Sequence, residues 1–385
     1  MLRLLYSLSL LEVAVGGGGR MAGFAPVSVR GLLAGICLAV ALVDYLKNGA
    51  RVSAGTSFLV LLFIVSTTAG ISVGYLAGNE FDAIASDVAQ VSFFLVILFF
   101  QQCFRRRKYF FLTERLIVVS AVFLAVSYIA VLFLIFWQNR FYEVYEFLSR
   151  SDDFFFRENK TFFFKGFVYL GVGFFFLLER LTFWRFFSLL IVFGAIILCD
   201  TRGMYMALAL VVLFLYFRAY WSVSVVIVSF GFWMVSGGEV LNSFAKPESD
   251  IVRLLDMRYV FDNMDILSTI FGHGFGAEIN GRNRIEVAWV EILYKQGIIG
   301  IAFWLYWFAT LASNYCALTG QAKKYGRPYF ASALFIFILS FTNPFMNNSI
   351  GLIVLIVAHF SLLHLVRWQK SMIGDNKSLM ILGVS

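Results

Sequence analysis

Apolar residues run nearly unbroken for a helix-length at a time along this chain, and charged residues gather in the gaps between the runs. Such runs predict membrane-crossing helices, because a backbone in lipid must satisfy its N–H and C=O groups internally and ~20 apolar residues are needed to span. The pattern predicts spans at 2–17, 31–46, 56–76, 86–104, 114–137, 163–179, 186–200, 203–219, 221–237, 287–313, 329–343 and 349–366. Charge then orders the ends. Lys47 with Arg51, the run Arg105–Lys108, Arg180 with Arg185, Arg218, Lys323 with Lys324 and Arg327, and Arg367 with Lys370 are basic clusters, and an even number of spans separates each from the next. Short cytoplasmic loops are the Lys/Arg-rich ones. The reading is therefore an all-α polytopic bundle of about twelve spans with both termini cytoplasmic. Arg20 and Arg30 fall on the other side and are its exceptions.

Composition agrees. Of 385 residues 61% are hydrophobic and 14% charged, whereas soluble domains carry roughly a quarter charged; mean hydropathy is +0.83. The net charge of +8 follows from the basic clusters of one face, so it does not argue for nucleic acid. Cys37, Cys103, Cys199 and Cys316 are scattered, with no spacing for a disulfide framework or a zinc site. No small-residue cleavage pattern follows the first apolar run, which reads as a short first helix rather than a signal peptide. Stretches between spans reach about fifty residues at most, too short to bury a core alone. The chain is thus one membrane domain, 1–385, with outer-face segments at 138–162 and 238–286 and a short acidic loop at 77–85. In 138–162, Phe141, Tyr142, Tyr145 and Phe147 alternate with Glu143, Glu146 and Arg150, a pattern suited to a helix lying in the interface.

Charge at membrane depth is costly and tends to be functional, and three outer-face places stand out. Asp200-Thr201-Arg202-Gly203 sits between two apolar runs with almost no loop. Arg202 there can grip an anionic head group through two hydrogen bonds at once, or simply snorkel to lipid phosphates. Arg253 and Arg258, in Arg253-Leu254-Leu255-Asp256-Met257-Arg258, are offset on a helix. Either reaches for a pyrophosphate, or Asp256 pairs with an arginine and solvates a loop helix. Phe271-Gly272-His273-Gly274-Phe275-Gly276 has glycines at alternate positions, followed by Arg282, Arg284 and Glu286. Positive φ and close backbone approach suit a turn or a ligand cradle, but no strand–helix unit makes it a dinucleotide site. His273 is the only outer-face histidine, with a structural role competing against a catalytic one. Glu286 opens the run EVAWVEILYKQGIIG, where an acid also suits a helix's first turn, and Glu291 pairs with Lys295 at i,i+4. His359 and His364 read as packing residues near the cytoplasmic end. The four prolines read as loop or span-end residues.

The order TRG turn, RLLDM, FGHGFG, then a polar start leading into ILYKQGIIG resembles the O-antigen ligase and polymerase superfamily, integral-membrane glycosyltransferases of the GT-C type. The likeness covers residues 200–300. Ligases carry a His-Asn-Ser start before the corresponding run; Glu286 stands at that position here, which points to a Wzy-type polymerase. The resemblance implies sugars on undecaprenyl diphosphate, with no nucleotide-sugar, metal or other cofactor. It implies donor and acceptor lipid-linked glycans and membrane lipids as partners, with a chain-length regulator as a candidate docking partner, and a bacterial inner-membrane location with the site facing the periplasm. Arg202 with Arg253 or Arg258 is then expected to hold the departing pyrophosphate, Arg282 and Arg284 being weaker candidates, and Glu286, then His273, to be the general base, with inversion at the anomeric carbon. A ligase acting on lipid A core or protein, and a polysaccharide flippase, are the competing readings. A flippase is expected to show internal duplication and charge from both halves, and neither is visible.

Overall fold

A computed structural model describes residues 2–19, 28–49, 52–151, 153–157, 160–217 and 247–381. The expected span 221–237, residues 218–219 of the span before it, residues 238–246 of the segment 238–286, and Arg20, Pro26, Arg51 and Arg218 lie outside them. Numbered among the described residues, the helices are α1 (Leu2–Val15), α2 (Val29–Asn48), α3 (Ala54–Leu76), α4 (Phe81–Ser92), α5 (Ile97–Cys103), α6 (Lys108–Phe136), α7 (Phe141–Leu148), α8 (Val168–Glu179), α9 (Phe183–Leu198), α10 (Arg202–Tyr216), α11 (Pro247–Asp262), α12 (Ile266–Phe271), α13 (Ala288–Cys316), α14 (Gly320–Leu339) and α15 (Ser349–Ile381). Among the described residues the fold is all-α apart from one antiparallel hairpin, β1 (Phe154–Phe156) with β2 (Phe162–Phe164).

Among the described residues, six stretches are long and apolar enough to cross a membrane: α2, α3, the α4–α5 stretch Phe81–Cys103, α6, α13 and Ser349–Met372 of α15. Their burial separates centre from rim. In α15, 78% of the apolar window is buried, against 17% in α2. The central helix α15 packs on α14 and α13, while α8 packs on α6, α9 and α14. Ser28, Ser53 and Thr182 cap α2, α3 and α9 by accepting from backbone N–H groups of the first turn.

Four local expectations are corrected. The segment 138–162 is not a single interfacial helix: α7 ends at Leu148 and the chain then folds back as the hairpin, with Phe154 stacked on Phe164 at 4.8 Å. The span expected to begin at residue 163 therefore starts as a strand, and α8 begins only at Val168. The stretch 86–104 is broken by a 3₁₀ turn, Phe93–Val96. Pro328 lies inside α14, which starts at Gly320, rather than at a span end.

The ion pairs sort the charges onto two ends. At one, Glu114 takes both Arg185 (2.8 Å) and Arg180 (3.7 Å), and Arg327 reaches Glu179 at 3.6 Å. Arg107 lies over the rings of Phe111 and Trp368. Basic clusters far apart in sequence thus meet at this end. At the other end Arg30, the exception, is not a surface charge at all. It is 5% exposed and buried among three elements: Nε donates to Glu12 of α1 at 2.9 Å, Nη1 to Ser349 at the start of α15 at 2.7 Å, and Nη2 to the Gly17 carbonyl. The glycine run after α1 lets this happen. Gly17 and Gly19 have positive φ, and a Cβ on Gly18 would meet Asp153 Oδ1 at 2.0 Å.

Candidate active site

The Asp200–Arg202 turn is tight because Asp200 takes positive φ (45°) and α10 begins immediately at Arg202. Gly203 is the close-packing residue of the motif: a Cβ there would meet Thr342 Oγ1 at 2.3 Å, so its smallness seats α10 against the loop before α15. Arg157, in the hairpin turn, holds the turn from outside. Its guanidinium pairs with the Asp200 carboxylate at 2.9 Å, donates to the Asp200 carbonyl and reaches Thr201 Oγ1 at 3.1 Å.

Helix α11 delivers Arg253 to the same place. Asp250, one turn earlier, accepts from Arg202 through both oxygens (3.2 and 3.3 Å) and from Arg253 at 3.1 Å, so one carboxylate bridges the two arginines. Arg253 also grips Glu286 through Nη2 at 2.6 Å and Nε at 2.7 Å. Glu286 is not in the first turn of a helix, as the dipole argument supposed. It precedes Val287, the N-cap of α13, and is held by arginine instead.

These groups face one cavity of about 480 Å³, whose wall includes Arg157, Lys165, Arg202, Arg253, Asp200 and Glu286, with the paired hairpin residues Phe155 and Phe163 and the Asn343–Phe345 turn completing it. Four cations and two carboxylates line it; Asp250 bridges two of those cations, and the buried Asp153 pairs with Lys165 at 3.1 Å. Guanidinium groups fixed beforehand in a partly dry pocket can neutralise charge that appears on a ligand without reorganising, and that is the most effective kind of electrostatic help.

The other sequence candidates stand elsewhere. Arg258 is offset from Arg253 as the spacing implied; its side chain is 80% exposed and pairs with Asp262. Arg282 pairs with Asp256, which is buried at 1% exposure rather than solvating its helix. Arg284 reaches Ser86. None of the three lines the cavity.

His273 stacks on Tyr294 at 4.2 Å, and its loop is fixed by backbone bonds. His273 N–H donates to Tyr294 O (2.7 Å), Gly274 N–H to Lys295 O (3.0 Å), Phe275 N–H to Gly70 O (2.9 Å) and Gly276 N–H to Asp87 (2.9 Å). All three glycines of the motif have positive φ, as the spacing predicted. A Cβ on Gly274 would meet the Gly74 backbone at 2.0 Å, so close approach is to α3 and not to the cavity. Opposite the loop α13 is broken at Gly297 (φ 61°), whose absent side chain makes room for Ile270 O. Beneath lies a buried triad, Lys295 with Asp87 at 2.8 Å and Glu291 at 3.4 Å, the last being the expected i,i+4 pair.

Sequence reasoning missed Arg157, Lys165 and Asp250. A signal for the first two was present: two Phe triplets flank the polar stretch 157–161, the aromatic-turn-aromatic pattern of a hairpin.

No family model matches the chain. Among known proteins it is similar to an O-antigen polymerase of Shigella flexneri, with 26% identity over 355 residues covering 90% of this chain and 90% of that one. The likeness to O-antigen polymerases first read from residues 200–300 therefore extends over nine-tenths of both sequences.

Proposed function

We propose that the protein is a glycosyltransferase that polymerises lipid-diphosphate-linked oligosaccharide repeats into O-antigen or a related surface polysaccharide, with its cavity at the periplasmic face of the inner membrane. The observation that carries this reading is the convergence of Arg202, Arg253 and Glu286, from three separate parts of the chain, on one cavity. The donor is the growing chain on undecaprenyl diphosphate, and a sugar hydroxyl of the incoming repeat is the acceptor. As the acceptor oxygen forms its bond to the anomeric carbon, the bond from that carbon to the diphosphate oxygen breaks, and the hydroxyl proton passes to a base. Arg202 and Arg253 take up the charge that builds on the diphosphate. Glu286 is the base by position, and its grip on Arg253 couples proton acceptance to the arginine that meets the leaving group; such general-base help supplies roughly 10²–10⁴-fold. Attack opposite the departing diphosphate inverts the anomeric centre.

Purified protein fed lipid-linked repeats, with no lipid A acceptor, tests it. Extension to a ladder of products is the expected result, with Arg202→Ala and Glu286→Gln yielding single repeats only. Transfer that occurs only when lipid A core is added would make the protein a ligase. An undiminished ladder from Arg202→Ala would remove that arginine from the chemistry.

A further inference from the structure

The end of the bundle away from the candidate site carries a second cavity, of about 100 Å³. Its position follows from helix geometry. Helix α15 starts at Ser349, next to Asn348 of the first cavity's wall, and at ~1.5 Å per residue it carries Arg367 about 27 Å further along its axis. That is close to the ~30 Å depth of a bilayer's hydrocarbon layer. Arg367, His364 and Phe360 of α15 face Arg105, Phe104 and Gln101 of the α5 end across this second space.

Among the described residues that line it there is no carboxylate. Phe104 and Phe360 form a stacked pair, 6.0 Å between centroids, at its apolar part. Gln101, buried at 8% exposure, is part of the wall, and its side-chain oxygen accepts from the Tyr45 hydroxyl at 3.5 Å. The walls are fixed rather than loose. Arg107 lies over Trp368 at 5.6 Å, and Gln369 accepts from Thr319 N–H at 2.9 Å and donates to Ala317 O at 3.3 Å, so α15 is tied by the two residues that follow Arg367.

We propose that this cavity binds the phosphate of an anionic phospholipid headgroup. Two guanidinium forks with amide and imidazole donors match tetrahedral phosphate oxygens. Basic pockets between membrane helices on the Lys/Arg-rich side are where anionic headgroups are held. The stacked rings beside the charges suit the glycerol and first acyl carbons, which an inorganic anion does not offer. The basic clusters around it raise the local concentration of such lipids, and the cavity supplies the specific grip.

The test uses full-length protein in detergent and measures retained lipid by native mass spectrometry and thermal stabilisation after adding cardiolipin, phosphatidylglycerol, phosphatidylcholine or inorganic phosphate. Wild type is expected to retain cardiolipin or phosphatidylglycerol and to melt higher with them, while phosphatidylcholine and inorganic phosphate leave it unchanged. The double variant Arg105→Gln/Arg367→Gln is expected to bind anionic lipid at least about tenfold more weakly. Arg106→Gln/Lys108→Gln removes the same charge from the same cluster without touching the cavity wall and should bind as wild type. Equal loss in the two double variants would reduce the effect to general surface charge and overturn the proposal. So would retention equal to wild type in Arg105→Gln/Arg367→Gln, or stabilisation by inorganic phosphate matching that by lipid. If the first double variant does not fold, Arg367→Lys, which keeps charge but loses the fork, is expected to show a partial loss of binding, and unchanged binding there would count against the site.

Discussion

Two regions of the molecule place charged groups beside glycine-containing turns, and they are built to opposite purposes. Around the Asp200–Arg202 turn the charges are partly exposed, paired in a loose network across α10, α11, the hairpin and the start of α13, and turned toward a cavity. Around the FGHGFG loop the charges of Asp87, Glu291 and Lys295 are buried, and the loop's amides are spent on α3, α13 and Asp87. The loop has the look of a ligand cradle in sequence and is architecture in space. Close approach serves a neighbouring helix as readily as a ligand, and only the location of open volume separates the two uses.

Substitutions sharpen the contrast. The largest effect is expected from Lys295→Met, which leaves two carboxylates buried without their cation; a loss of about 3–5 kcal/mol would be read as a lower melting temperature and poor yield, and stability near wild type would show the triad to be dispensable. Arg253→Ala is expected to behave in the opposite way, slowing repeat extension by about 10²–10³-fold with little change in melting temperature. Gly274→Ala forces a side chain into left-handed backbone against Gly74 and should cost about 2–3 kcal/mol of stability without a separate catalytic defect in the protein that folds. His273→Phe keeps the ring stacked on Tyr294 and should retain extension within about threefold; a loss as deep as that of Glu286→Gln would return His273 to the list of bases.

The smallest effect concerns the approach to the loop. Asp265 caps α12 by accepting from the Ser268 hydroxyl and N–H, and these bonds hold its carboxyl below the usual carboxylate range. Because the folded value is the lower one, its stabilisation is in place above the ordinary carboxylate range and fades as pH falls through the lowered value. Asp265→Ala should therefore lower stability slightly at neutral pH and converge with wild type in acid, as followed by thermal melts across pH.

What the sequence disclosed and what it hid follow from range. Basic clusters at even span intervals announced a common face, and Glu114 and Glu179 gather several of them. Arg202, Arg253 and Glu286 were legible because charge beside apolar runs is conspicuous. Their convergence was not, since nothing local ties residue 253 to 286. Arg258 looked equivalent to Arg253 because composition cannot say which side of α11 faces the cavity. The hairpin was hidden because Phe triplets read as membrane apolarity, and Arg157 and Lys165 disappeared with it.

The buried tie made by Arg30 reaches back to how the chain enters the bilayer. A guanidinium buried this deeply in a membrane bundle is tolerable only once Glu12 has met it. The first two helices are thus expected to enter as one neutralised hairpin, and Ser349, more than three hundred positions later, adds its acceptor only when the final helix arrives. A truncation that deletes α1 would strand that cation in an apolar setting and should derail assembly well before it touched any chemistry.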